Sequence, residues 1–242
     1  MTDTSSVSAT NVGLPVPPGQ RLEARLVQIQ ALAGGLFFIF LVMHLANTGL
    51  AVFGPEVYNG FQRSVQSVYQ YPALELVLVL GPLVTHAIVG IWLARIRKRR
   101  SGLRPLRYRL QSWAGFFLLA VVFGHVLATR GVGYFYGAVP EFAGVSFSIW
   151  WQPAYFYPYY FLLFMAGLYH GTMGAGAVLR RLGKQPVILS GRQRGMVMLL
   201  GALLVSGSLL AFGGVLFEIE DPRDNDYARQ YAEFFDLDLG GE

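Results

Sequence analysis

Five long apolar stretches, separated by shorter polar, arginine-rich or aromatic segments, set the pattern of this chain. They lie at 26–53, 73–96, 110–129, 155–179 and 195–217. A helix rises 1.5 Å per residue, so about 20 apolar residues cross a hydrocarbon core of roughly 30 Å, and each stretch reaches that length. The pattern predicts an all-α membrane protein of five transmembrane helices, the first four forming a four-helix bundle. Residues 1–23 read as a flexible cytoplasmic lead-in, 24–217 as the transmembrane domain and 218–242 as an acidic extracytoplasmic tail carrying Asp221, Asp224, Asp226, Asp236 and Asp238. The first 20 residues lack the apolar core and small-residue cleavage site of a secretory signal peptide.

Composition agrees with lipid as the solvent. The chain of 242 residues is 54% hydrophobic and 14% charged, with a mean hydropathy of +0.44, well outside the range of an ordinary soluble domain. It contains no cysteine, which excludes thiolate-held clusters, disulfides and cysteine nucleophiles and leaves His, carboxylate or Met to hold any metal. The net charge of +5 is explained by topology rather than by nucleic acid. Arg21 and Arg25, then Arg95, Arg97, Lys98, Arg99, Arg100, Arg104, Arg107 and Arg109, then Arg180, Arg181, Lys184, Arg192 and Arg194 fall on one side of the spans. Only Arg63, Arg130, Arg223 and Arg229 of the 19 basic residues fall on the other. The positive-inside rule therefore predicts a cytoplasmic N-terminus and an external C-terminus. The external segment from Tyr134 to Tyr160, with Trp150, Trp151, Tyr155, Tyr157 and Tyr159, reads as an aromatic belt at headgroup depth.

The chain also repeats itself. Spans one and three share Gln-x-x-x-Gly-x9-His, as Gln30, Gly34, His44 and Gln111, Gly115, His125. Spans two and four share His-x-x-x-Gly followed by arginine, as His86, Gly90, Arg95 and His170, Gly174, Arg180. The first helix pair is thus expected to copy the second, although glycines at such spacing also serve ordinary helix packing.

All four histidines lie inside apolar spans, where an unpaired imidazole is costly. Counted from the arginines, His86 and His170 lie roughly 14 to 15 Å above the inner face, and His44 and His125 roughly 24 to 28 Å. In an up-down bundle alternate helices face one another, so His44 is expected to face His125, and His86 to face His170. Two neutral imidazoles across a bundle core are the arrangement that clamps a haem iron from both faces, and two depths give two haems. Gly90 and Gly174, one turn below their histidines, would let a ring approach the backbone. Gln30 and Gln111 point into the same core about 21 Å below His44 and His125, within reach of the inner haem's propionates. The ordinary alternative for one membrane histidine is a bond to a neighbouring carbonyl. A four-histidine metal cluster would need one shared depth, and a proton relay would add carboxylates, of which the spans hold only Glu75, near the outer end of span two.

These elements, with the aromatic-Pro-x11-His spacing at Tyr157, Pro158 and His170, the pair His170 and Gly171, and the tail residues Asp221, Pro222, Asp226 and Tyr227, resemble the dihaem cytochrome b membrane subunit of the succinate:quinone oxidoreductase family, the anchor of succinate dehydrogenases and fumarate reductases. The likeness covers most of residues 24–235. It implies an inner-membrane subunit of the electron transport chain and the tricarboxylic acid cycle, not catalytic alone. In such an assembly a flavoprotein and an iron–sulfur subunit dock on the cytoplasmic face, and electrons pass through two haem b to menaquinone or ubiquinone. It implies His86 and His170 as ligands of the proximal haem, His44 and His125 as ligands of the distal one, and Gln30, Tyr108 and Arg181 at propionate-contact positions. The chain departs from the family at Gln66 and Leu168, where relatives can carry glutamates, and at Trp150, where an arginine serves the distal propionates; Arg130 is a substitute for the last. A quinone site on the outer side would draw on Tyr58, Asn59, Gln62, Arg63 and Gln66.

The resemblance favours succinate oxidation, with fumarate reduction as the reverse. The other readings are the cytochrome b of a hydrogenase or formate dehydrogenase, a free-standing transmembrane electron carrier and, in a different class, a transporter with metal- or proton-binding histidines, which would be expected to show broken helices or midplane acids.

Overall fold

The computed structural model describes residues 18–98, 105–184 and 190–239. Residues 1–17 of the predicted lead-in, Arg99, Arg100 and Arg104 of the first basic loop, and the last three residues of the tail lie outside the described residues. The described residues are mostly helical, with no strand among them, and five helices are long and apolar enough to cross a membrane: Gly19–Phe53, Pro72–Arg97, Leu106–Tyr136, Pro153–Arg181 and Gly191–Phe212.

The boundaries differ from the hydropathy pattern where local chemistry overrides it. The first helix starts ahead of its apolar run because Gln20, Arg21, Leu22, Glu23 and Ala24 are good helix formers. The fifth ends at Phe212, short of 217, because Gly213 and Gly214 follow, the latter at φ +71°, the left-handed stop that glycine tolerates. The third runs on past Thr129 to Tyr136 through a π-helical turn, Leu127–Gly131. A second π turn, Leu76–Leu80, lies near the start of the second span. Such turns re-aim side chains and gather at functional sites.

The first span packs on the second, fourth and fifth, and the fourth packs on the third and fifth, whereas among the described residues the second and third do not pack closely along one another. The order round the bundle is therefore second, first, fourth, third. The first span faces the third across the core, and the second faces the fourth.

At the end remote from the arginines the chain is more ordered than its sequence suggests. Pro55–Tyr69, Phe142–Trp151 and Asp226–Phe235 are helices. Phe142, Phe147 and Ile149 are buried, so the predicted belt is in part a packed helix, with Tyr134, Trp150 and Tyr155 its exposed members. The acidic tail is likewise not simply solvated: Tyr227, Ala228 and Ala232 bury one face of its helix, and the Tyr227 hydroxyl donates to the Ala128 carbonyl at 3.0 Å. Within that helix the acidic Asp226 and Glu233 are exposed, an amphipathic pattern that a reading by charge alone overlooks.

Candidate functional site: two histidine pairs in one cavity

The four helices surround a continuous cavity of about 930 Å³. It is lined at one end by Arg97, Tyr108, Arg180 and Arg181, at the other by Tyr58, Gln62, Gln66 and Tyr69, and between them by all four histidines. Pockets for one small molecule run to about 1,000 Å³, so this volume suits large apolar occupants rather than a bare ion. Among the described residues no three His, Asp or Glu side chains converge as metal ligands.

His44 and His125 approach with ring centroids 5.9 Å apart, and His86 and His170 stand at the same 5.9 Å. A metal between two imidazoles, each bonded at about 2.0–2.1 Å, holds their centroids roughly 6 Å apart, so both pairs have the separation of a two-sided clamp. The pairs are supported differently. His86 Nδ1 lies 3.1 Å from the Gln30 carbonyl oxygen and His170 Nδ1 3.2 Å from that of Gln111. A carbonyl only accepts, so in both rings Nδ1 carries the proton and Nε2 keeps its lone pair for a ligand. A Cβ on Gly34 would come within 2.6 Å of His86 Nδ1, and one on Gly115 within 2.8 Å of His170 Cε1. The Gln-x-x-x-Gly element is thus a socket. Its first residue fixes the tautomer of a histidine on the next helix of the pair, and its glycine makes room for that ring.

His44 and His125 have no ring hydrogen bond of this kind among the described residues. Their backbone carbonyls instead accept the hydroxyls of Thr48 at 3.1 Å and Thr129 at 2.8 Å. These threonines extend the repeat by one turn, four residues after each histidine, a signal present in the sequence and overlooked in the motif.

Gln30, Tyr108, Gln111, Arg181, Gly90 and Gly174 all line the cavity. Gly90 lies against the Gln30 side chain, whereas Gly174 borders open space; the close ring contacts fall instead at Gly34 and Gly115. The Gln111 amide donates to the His170 carbonyl at 3.1 Å, and its Oε1 is buried without a partner. Arg180, beside Arg181, also lines the cavity.

Of the five residues expected around a quinone, Tyr58, Gln62 and Gln66 line the cavity. Asn59 and Arg63 are engaged elsewhere: the Asn59 side chain accepts from the Phe142 N–H at 2.9 Å, and Arg63 grips Glu141 through two bonds of 2.6 and 2.7 Å. Burial, reinforced by Glu141 and Tyr69, pushes the Tyr58 phenol far above its usual range, which keeps it a neutral donor. Tyr69 is raised by burial as well, with Glu75 adding to the rise while Gln70 and Arg130 oppose it. Asn47, not singled out in the sequence, is buried and donates to Gln62 at 3.4 Å. Its Oδ1 has no partner among the described residues.

The molecule is therefore of the class of all-α membrane bundles that present paired core histidines at two levels. Within that class, the chain is similar to the succinate dehydrogenase cytochrome b558 subunit of Bacillus subtilis (strain 168), with 32% identity over 96 residues. The match takes in 38% of this chain and 48% of that protein, so it spans about half the length of the curated relative. No family model matches the chain.

Proposed function

We propose that this protein is the haem-bearing membrane anchor of a succinate dehydrogenase, carrying two haem b and passing electrons between an iron–sulfur subunit and membrane quinone. The observation that carries the reading is the double socket: two histidines from different helices, each with Nδ1 committed to a glutamine carbonyl and Nε2 left free, facing each other at 5.9 Å. The second pair repeats the spacing, and the name of the Bacillus relative, a cytochrome b558 subunit, supports the reading. Bound there, haem supplies an iron that accepts and releases single electrons. The chain's own residues hold it. His86 with His170, and His44 with His125, would hold the iron through their ring nitrogens; Gln30, Gln111, Tyr108, Arg180 and Arg181 would offer donors to acidic groups at the arginine-rich end; the apolar walls would exclude water.

The arginine bias supports a cytoplasmic N-terminus in a bacterial membrane, with the flavoprotein and iron–sulfur subunits docked beside His86 and His170. Quinone then reacts beyond His44 and His125, where Tyr58, Gln62 and Gln66 face the cavity. The Bacillus relative favours this over a hydrogenase or formate dehydrogenase cytochrome, and over a transporter. A pyridine haemochrome assay on the purified, fully loaded complex should give two haem b per chain, and the complex should contain a flavoprotein and reduce quinone with succinate. A preparation with no haem, or one carrying hydrogenase subunits, refutes the proposal.

A further inference from the structure

The second and third spans, which among the described residues do not pack closely along one another, are bridged by a part-buried ion pair near the Tyr58 end of the cavity. Arg130 donates to both oxygens of Glu75, at 2.6 and 2.8 Å, and the Tyr134 hydroxyl donates to Glu75 Oε2 at 2.7 Å. The Glu75 side chain is 3% exposed, whereas Tyr134 is 53% exposed and carries the Arg130 guanidinium 4.1 Å above its ring. Both π turns adjoin this cluster: Leu76–Leu80 begins at the residue after Glu75, and Leu127–Gly131 contains Arg130. Glu75 and Arg130 line the same cavity as Asn47, Gln62, Gln66 and Tyr69. The unpartnered, buried Asn47 Oδ1 independently marks this end of the cavity as built for a ligand with a polar edge.

A buried carboxylate wired on one side to an exposed phenol, and open on the other to an apolar cavity, is a means of carrying protons into a site that water does not fill. We infer that Glu75 is the proton-exchanging residue of the quinone site, with Arg130 holding charge at the reacting oxygen and Tyr134 connecting Glu75 to water. This rests on the quinone reading above. Reduction of a quinone to a quinol takes up two electrons and two protons and makes two O–H bonds. The electrons are those of succinate, delivered by the dehydrogenase subunits. As negative charge grows on the oxygen facing the pair, Arg130 stabilises it. As the basicity of that oxygen rises, a proton moves to it through Glu75 in one concerted relay, the Tyr134 hydroxyl giving its proton to Glu75 as it takes one from water. The proton for the opposite oxygen comes from water. The charged and titratable groups around Glu75 are Arg130, Tyr134 and Tyr69, so no second carboxylate shares the task among the described residues.

The test uses the whole complex and reads quinone-linked turnover as a ratio to dye-linked succinate oxidation in the same preparation. Glu75→Gln, which keeps an oxygen for Arg130 but carries no proton, should lower the ratio about 100-fold, within the range of general acid–base catalysis. It should also flatten the pH profile of the quinone reaction, and Glu75→Asp should restore part of both. Tyr134→Phe leaves the ion pair in place and should slow the quinone reaction about 10-fold with an enlarged solvent isotope effect, which guards against poor folding of the Gln variant. Asp224→Asn, at an exposed ion pair of the tail with Arg229, should leave the ratio unchanged. If Glu75→Gln and Tyr134→Phe keep the wild-type ratio and pH profile, or if Glu75→Gln only loses haem and yield, the pair is a structural tie and the inference is overturned. Failure of the wild-type complex to reduce quinone at all would instead refute the proposed function.

Discussion

The two halves of the cavity are built by different rules. Around His86 and His170 one instruction is used twice: a glutamine carbonyl fixes Nδ1 and a glycine one turn on seats the ring, once from the first span and once from the third. Around His44 and His125 the repeat supplies only the histidines and the threonines behind them. The remaining walls come from unrepeated parts: the helix Pro55–Tyr69, the buried helix Phe142–Trp151, the Glu75–Arg130 bridge and the docked tail. The contrast separates two ways of building one cavity: duplicated sockets seat the rings of His86 and His170, while varied polar edges gather at the His44 and His125 end, which a duplicated helix pair does not by itself provide.

The comparison breaks most sharply at the histidines. His86→Ala or His170→Ala should abolish one haem spectral component, and His44→Ala or His125→Ala the other, because no equivalent donor lies within reach. Reduced-minus-oxidised spectra of the four variants decide this, and loss of the same component from His44→Ala and His86→Ala would undo the division into halves. A smaller effect is expected at the sockets. Gly34→Ala and Gly115→Ala force a methyl against an imidazole, an overpacking cost of about 1–3 kcal/mol. Each should shift or weaken only the His86/His170 component in a redox titration, and the two variants should behave alike since the sockets are copies.

The smallest effect belongs to the tail. Hydrogen bonds from the Arg223 side chain, then from its backbone N–H, hold the Asp221 carboxyl down to about 2 against an ordinary 3.8, and the same arginine reaches the Leu239 carbonyl and lies over Trp150. A lowered carboxyl pKa stabilises the docked tail fully above about pH 4, and that support is lost as pH falls through about 2. Release of the tail by an acid-active protease should therefore quicken across that window. Asp221→Asn should show less of this acid dependence and a looser tail at neutral pH, with both haem components unchanged.

Much of the histidine arrangement was legible in the chain because helix geometry is local. Apolar length located the five spans, the 3.6-residue turn converted residue counts into two depths, and the internal repeat showed which elements correspond. Thr48 and Thr129 stand in that repeat and were legible too. Sequence spacing placed the glycines on the histidine levels but did not say which of them a ring would approach, because that depends on which helix lies beside which. Gly34 and Gly115 seat rings that belong to other helices, and only the packing order second, first, fourth, third reveals it. The same holds for Glu75 and Arg130, 55 residues apart in sequence, and for Asn59 and Arg63, drawn away by Phe142 and Glu141. Sequence alone determined what each helix carries and at what depth, since both follow from rise and periodicity. Tertiary structure decided which side chains meet, since a hydrogen bond or a seated ring exists only where two separately specified surfaces are brought into contact.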